Sequence, residues 1–261
     1  MAGHRSAIVE QIQRMVAALV ATQPAGAGLC LVGGFRYRLL DQAVRRSVDI
    51  DYHWMGDVAA KQQALAELFR RRLLPDVRRR LVLDGSVQAP ASESDVTAVV
   101  ELAFWRLGSD LGRIEIPVDV LCIECLDPPT VRTANGIVYL TSSDADMFES
   151  KAIAVVSRGF LEHRDLVDLY LFASHAASDA AARLARKCAA LGIGSDAIAR
   201  RLADLATHAK RHAKAVDQVI RAQLDVEAAT ALEAAGGGGL VVATVSRLLE
   251  QLFRRDSVND P

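Results

Sequence analysis

Aromatic residues are scarce in this chain, at 5% of 261 positions, whereas Ala and Leu are plentiful. That balance leans toward helix, since small and unbranched side chains lose little freedom there. Cysteine is scarce too. Four residues, at 30, 122, 125 and 188, cannot staple a chain of this length, which excludes a disulfide scaffold. The spacing of Cys122 and Cys125 has the form of a zinc or redox pair, but no second pair of ligands follows at matched spacing. The pair lies in the apolar run VDVLCIECL and reads as two strand cysteines. An excess of either charge is lacking: 31 Lys and Arg face 32 Asp and Glu. There is thus no general attraction to nucleic acid or anionic membrane, and any such contact must come from local patches. Long apolar runs are missing as well. None reaches the roughly 20 residues of a membrane helix. The N-terminal segment, with Arg5, Glu10 and Arg14 on an amphipathic pattern, lacks a signal-peptide core. A cytoplasmic protein without a membrane partner is expected.

What is present falls into two parts. In residues 6–21, Ile8, Ile12, Met15, Val16 and Leu19 follow the spacing of one buried helix face. A strand over 29–32 ends in Gly33-Gly34 and opens a helix over 35–43. Residues 47–54 alternate as a second strand, and a helix over 58–74 starts after Asp57 and stops near Pro75. Strands follow over 81–87, 97–105 and 114–123, with a turn over 108–112 between the last two. Asn135-Gly136 marks a hairpin. From about 144 the pattern is helical: 144–158, 162–176, 178–191, one long helix over 196–233 capped by Ser195, and a last helix over 240–254. Gly236 to Gly239 reads as a flexible linker. The expected organisation is an α+β domain over 1–142 followed by an all-helical domain over 143–261.

The chemistry concentrates in two segments, LVGGFRYR from Leu31 and RRSVDIDY from Arg45. Glycines at a strand end let backbone N–H groups approach an anion, and the helix that follows adds its positive end. Alternate side chains of a strand share a face, so Asp49 and Asp51 project together with Ile50 behind them. Adjacent carboxylates repel unless a cation sits between them. Hard oxygen ligands suit Mg²⁺, with Mn²⁺ as an alternative. A third carboxylate is expected from the strand at 114–123, where Glu115 and Asp119 share a face; Asp119, between apolar neighbours, is preferred. Taken alone, the Asp49-Ile50-Asp51 run also fits a solvent-facing strand edge.

Gly33-Gly34 followed by Arg45, Ser47 and Asp49-Ile50-Asp51 resembles the minimal nucleotidyltransferase pattern of the DNA polymerase β superfamily. The Arg-x-Ser-x-Asp-Ile-Asp form is close to the AbiEii/AbiGii toxin nucleotidyltransferases. A second block, from Glu149 through Lys151 to Arg158 and then Arg164-Asp165 to Asp168-Leu-Tyr, resembles that family's later motif. The resemblance covers about residues 30–172. It implies a minimal nucleotidyltransferase mixed β-sheet with flanking helices, and an all-helical C-terminal domain that closes a cleft. It implies transfer of a nucleotide from an NTP to an acceptor hydroxyl, with the 3′ end of tRNA as the acceptor of MenT-type members. On that resemblance Arg45 and Ser47 line the phosphate loop, Lys151 contacts the triphosphate, and Asp165 with Asp168 orients Lys151 or the base and sugar. Arg158 belongs to the same nucleotide-binding set, and a cognate antitoxin is an expected partner. The chain departs from the family at Phe35 and Arg36, where a small residue usually follows the glycines; Arg36 could itself reach phosphate.

Two basic sets could track an RNA backbone: Arg70 to Arg72 with Arg78 to Arg80, and Arg183, Arg186, Lys187, Arg200, Arg201, Lys210, Arg211 and Lys214. Solvated helix faces explain them equally well. His208 and His212, four apart without a third ligand, read as surface residues. Other readings stay open: a protein or small-molecule hydroxyl as acceptor, or a degenerate domain that only binds.

Overall fold

A computed structural model describes residues 2–92, 94–106, 108, 112–122 and 125–254. Two compact units divide the chain, Met1–Ser142 and Ser143–Pro261.

The first unit is a seven-stranded mixed sheet with helices. Its elements are α1 (Ala2–Thr22), β1 (Cys30–Val32), α2 (Gly33–Leu40), β2 (Ile50–His53), α3 (Val58–Leu68), α4 (Leu74–Leu81), β3 (Asp84–Gln88), β4 (Thr97–Trp105), β5 (Ile114–Leu121), β6 (Thr130–Ala134) and β7 (Ile137–Thr141). The strand order is β3-β4-β5-β2-β1-β7-β6. β2 pairs with β5, and β1 with β7, in parallel; every other neighbouring pair is antiparallel.

Burial follows the sequence periods. On α1, Ile12 and Val16 are fully buried, and Met15 and Leu19 pack at the margin of the same core. In β4, Ala98, Val100, Leu102 and Phe104 point inward, and in β5 so do Ile114, Ile116, Val118 and Val120. The opposite face of β5 carries Glu115 and Asp119, so one strand serves core and site by alternation. Each large apolar side chain buried here contributes about 1.5–3 kcal/mol.

Three expectations for this unit are corrected. The helix over 58–74 does not stop at Pro75. It passes through a π-helical turn, Phe69–Leu73, into α4, where Pro75 occupies the first turn. The wider turn makes room for the proline ring and for the backbone bond that its missing N–H leaves out. The helix ends at Val82, which is left-handed at φ 54°. β3 therefore starts at Asp84 rather than at 81. β5 ends at Leu121, so Cys122 and Cys125 lie beyond the strand. Of the expected 108–112 turn, residues 109–111 lie outside the described residues, as does residue 123 of the expected strand. The Asn135-Gly136 turn has φ 51° and 74°, the two-residue geometry that joins β6 to β7.

The second unit contains α5 (Asp144–Ser157), α6 (His163–Leu171), α7 (Ala180–Ala190), α8 (Ser195–Thr207), α9 (Ala209–Gln223), α10 (Val226–Ala234) and α11 (Gly237–Arg254). The long helix expected over 196–233 is three helices. The chain turns at His208, whose ring pairs with Asp204 four residues back, and again at Leu224, extended and buried. Tertiary burial decides these breaks, which no Gly or Pro announces. The glycine run is not a linker. It opens α11, and Gly238 donates its N–H to Asp217 Oδ1 at 2.7 Å. A Cβ on Gly238 would lie 2.1 Å from the Ala213 carbonyl oxygen, so glycine permits the close approach of α11 to α9. Among the described residues no single helix is long and apolar enough to cross a membrane.

Candidate active site

β1 and β2 run antiparallel, pairing Val32 with Asp51, and β2 runs parallel to β5, pairing Asp51 with Asp119. Adjacent strands lie about 4.8 Å apart, so these two half-buried carboxylates stand side by side. Gly33, at φ 73°, closes the third side. A Cβ there would fall 1.8 Å from Asp51 Oδ2. Glycine is required both for the backbone angle and for room to seat the carboxylate.

Gly34 serves a second set. A Cβ on it would lie 2.2 Å from Arg45 Nη2 and 2.8 Å from Ser47 Oγ, so both side chains pack on the bare backbone at the start of α2. Arg45 and Ser47 are buried. Ser47 Oγ donates to Asp49 Oδ1 at 2.5 Å. Asp49 lies one residue before β2, and its carboxylate is aimed by Ser47. The Ser47 carbonyl in turn accepts from Gln13 Nε2 of α1 at 3.0 Å. Gln13 is 2% exposed. Its signal in the sequence is a polar residue on the buried face of α1.

Glu115 shares the face of Asp119 but lies four residues away, exposed, paired with Arg113 at 2.9 Å and registered opposite Ala103. Asp119 is therefore the β5 carboxylate beside Asp51. Among the described residues no three His, Cys, Asp or Glu side chains converge to hold a metal by themselves. The arrangement fits Mg²⁺ in another way, because that ion usually takes one or two carboxylates and completes its shell with substrate phosphates and water. Asp51 and Asp119 would supply the pair, with Asp49 beside them. The bound ion would neutralise charge on phosphate oxygens.

Phe35 and Arg36 do not intrude on the glycine pair. Phe35 is fully buried in the core. Arg36 is equally buried, donating from Nε to Thr141 Oγ1 at 3.2 Å and from Nη1 to Asp41 Oδ2 at 2.5 Å. Thr141 Oγ1 donates onward to the Leu31 carbonyl at 2.7 Å. Arg36 thus locks α2 to β1 and β7, and the expectation that it could reach phosphate is corrected.

Two residues beyond Asp51 on the same strand face, His53 Nδ1 lies 3.3 Å from Cys125 Sγ, which lies 3.5 Å from Ser142 Oγ. Nearby Cys30 is buried, and burial together with Cys125 pushes its thiol up to about 11. No sequence spacing announced this cluster, because its members come from three separate segments.

In the second unit, Lys151 Nζ on α5 pairs with Asp165 Oδ1 at 2.8 Å and Asp168 Oδ2 at 3.1 Å, both on α6. Arg158 Nη1 pairs with Asp165 Oδ2 at 2.8 Å. Asp165 and Asp168 are 1% exposed. These are not the weak ion pairs of a solvated helix surface. Another side of α5 carries Asp146 and Glu149, buried against Arg183 and Lys187 of α7, with Lys187 Nζ 2.6 Å from Asp146 and 2.7 Å from Glu149. Arg201 donates to the Val155 and Arg158 carbonyls at the end of α5. Arg183, Lys187 and Arg201 are thus committed to the interior, which corrects their placement in a basic surface.

His212 is corrected as well: it is 2% exposed. Its Nε2 faces Asp204 Oδ2 at 3.1 Å and its Nδ1 faces His163 Nε2 at 3.0 Å. Burial lowers the proton affinity of both imidazoles; charged His212 lowers that of His163 further, while Arg211 and His208 lower that of His212 against the raising pull of Asp204.

A family model for the nucleotidyl transferase AbiEii toxin of type IV toxin–antitoxin systems matches residues 14–235. No curated relative matches the chain. Among solved structures, JHP933 from Helicobacter pylori is similar with a TM-score of 0.56 and 12% identity, covering 97% of this chain and 94% of that one. MenT4, a nucleotidyltransferase toxin from Mycobacterium tuberculosis H37Rv, is similar with a TM-score of 0.52 and 16% identity over 77% of this chain and 66% of that one. At these identities the two structures bear on the fold, and the fold is theirs. The family match spans the glycine pair, the paired carboxylates and the Lys151 cluster, and the chain belongs to the AbiEii nucleotidyltransferase toxin family.

Proposed function

We propose that the enzyme transfers a nucleoside monophosphate from an NTP to a hydroxyl at the 3′ end of tRNA, releasing pyrophosphate. The observation that carries this reading is Asp51 beside Asp119 over the bare Gly33 backbone. The glycines and the start of α2 receive the phosphates, with Arg45 and Ser47 along the same loop. Asp51 and Asp119, with Asp49 on the approach to the same strand as Asp51, would hold Mg²⁺, which would neutralise charge on the phosphate oxygens. The acceptor oxygen attacks the α-phosphorus, the bond to the pyrophosphate oxygen breaks, and the hydroxyl proton leaves to solvent. The protein's part is positioning and charge stabilisation. Lys151, held by Asp165 and Asp168, is the cation we assign to the leaving pyrophosphate, with Arg158 in the same group. An antitoxin partner follows from the family's toxin–antitoxin character.

The test is incubation with total tRNA, Mg²⁺ and each NTP radiolabelled at the α-phosphate, beside an Asp49→Ala control. Label on the RNA 3′ end that the variant cannot transfer supports the reading. Label on protein or on a small hydroxyl compound instead moves the acceptor, and an active Asp49→Ala protein removes the scheme.

A further inference from the structure

Between Val58 and Leu81 stand seven cations and two carboxylates, a net charge of +5 within a chain whose overall formal charge is −1. Six of the seven are the arginines 70, 71, 72, 78, 79 and 80, and all six are exposed. Neighbouring carboxylates answer only some of them. Arg71 pairs with Glu67, Arg79 with Asp76 at 2.7 Å and Arg78 with Asp84 at 3.6 Å. Arg72 and Arg80 pair with no carboxylate among the described residues. Arg80 also borders a groove of about 410 Å³ between α1 and α4, whose rim carries Arg14, Gln11 and Asn135. No large apolar side chain of residues 70–80 is exposed, and Val82 at the end of α4 is a single exposed apolar residue beside six exposed arginines.

The geometry points to an RNA-backbone contact on this arginine ridge, which holds the stem of the acceptor while its 3′ end is at the carboxylates. The inference rests on the RNA-acceptor reading above and adds where the rest of that RNA lies. At about 1.5 Å per residue the ridge is about 15 Å long, close to four base-pair steps of a duplex. Its position fixes the length of RNA it can serve. Leu74 of α4 lies against the position of Gly85 on β3 beside Phe104 of β4, and Phe104 pairs with Ile114. These residues belong to the core face of the sheet, whereas Asp119 lies on the opposite face of β5, five residues further along (about 17 Å at 3.3 Å per residue) and two strands in from the β3 edge, so an RNA that reaches from the ridge to the carboxylates rounds that edge. That path exceeds the along-strand distance by the width of two strands and the thickness of the sheet, which puts it beyond a di- or trinucleotide and within reach of an RNA with a stem. Arginine suits the task because its guanidinium stays charged and takes phosphate oxygens in pairs.

The experiment uses the full chain, with Arg72→Ser/Arg80→Ser as the variant and two acceptors, a tRNA and its isolated 3′ trinucleotide. Transfer kinetics and filter binding are measured from 50 to 200 mM salt, and melting checks the fold. The expected result is a raised KM for tRNA with kcat unchanged, a salt slope shallower by about 1 per arginine removed, and no change in KM for the trinucleotide. Transfer to tRNA by the wild type, with the same KM and salt slope in the variant, overturns the ridge and leaves the RNA reading intact. Absence of transfer to any RNA by the wild type overturns the RNA reading itself. Binding to polyglutamate but not to tRNA, lost in the variant, overturns the RNA assignment in favour of an acidic protein.

Discussion

Asp51 stands opposite Asp119 in the parallel register of β2 and β5, and the bare backbone of Gly33 makes room for the Asp51 carboxylate.

Gly33→Ala puts a methyl where Asp51 Oδ2 now lies and forces φ 73° on a residue with a Cβ. The backbone strain costs about 1–2 kcal/mol, and the carboxylate must move. Nucleotidyl transfer is expected to be lost while the melting temperature falls by only a few degrees. Gly34→Ala displaces Arg45 and Ser47 instead, so it is expected to raise KM for the NTP and, because Ser47 aims Asp49, to lower kcat without abolishing transfer. Steady-state kinetics of the two variants check the division.

Gln13 acts on the site from the core side. Gln13→Leu leaves the buried Ser47 carbonyl without its donor, a loss of about 1–3 kcal/mol. Because Ser47 aims Asp49, kcat falls together with stability. Ser47→Ala is expected to lower kcat while leaving the melt near that of the wild type. Thermal melts beside single-turnover rates separate the two effects.

Lys151 is tied to two carboxylates that are 1% exposed. Lys151→Met removes a cation from both carboxylates while Arg158 still pairs with Asp165, and removing one partner from a buried ion cluster costs about 3–5 kcal/mol. Lys151→Arg keeps the charge and most of the stability. It loses transfer, because a planar guanidinium does not reproduce a point ammonium. Denaturant melts and transfer rates on both variants test this; equal activity in Lys151→Arg and wild type would remove Lys151 from the chemistry.

The histidine pair predicts a pH dependence. Burial lowers the pKa of both His163 and His212, against an opposing pull from Asp204. Asp204, His208, Arg211, Arg201 and Glu162 are the charged and titratable groups that surround them. A depressed imidazole pKa means that the unfolded chain binds more protons than the folded one between the folded value and about 6.5. Stability is therefore full above that range and falls as the pH drops through it. The melting temperature of the wild type is expected to decline from pH 7 to 5, and that of His212→Asn to decline less steeply; parallel curves would contradict the assignment.

How much of this was legible in the sequence depended on whether the signal was local. The Asp49-Ile50-Asp51 alternation, the glycine pair and the Asn135-Gly136 turn are local patterns, and each has a direct structural counterpart. The choice of Asp119 over Glu115 required strand register, because both share a face of β5 and only one stands opposite Asp51. Arg183 and Lys187 read as surface charge because nothing nearby in the sequence shows Asp146 and Glu149 waiting for them some forty residues earlier. The glycine run misled for a related reason: it permits helix contact, and its partner Asp217 lies twenty-one residues upstream. Pro75 reads as a stop because the π-helical turn that accommodates it has no composition of its own.

The most direct test of the central claim is pyrophosphate release measured side by side for wild type, Asp51→Asn, Asp119→Asn and Glu115→Gln. Asp51→Asn and Asp119→Asn are each expected to lose about 10²–10³-fold or more in kcat, the scale of removing one preorganised charge-stabilising group, with melts near wild type, while Glu115→Gln keeps its activity. An active Asp119→Asn enzyme beside an inactive Glu115→Gln would contradict it.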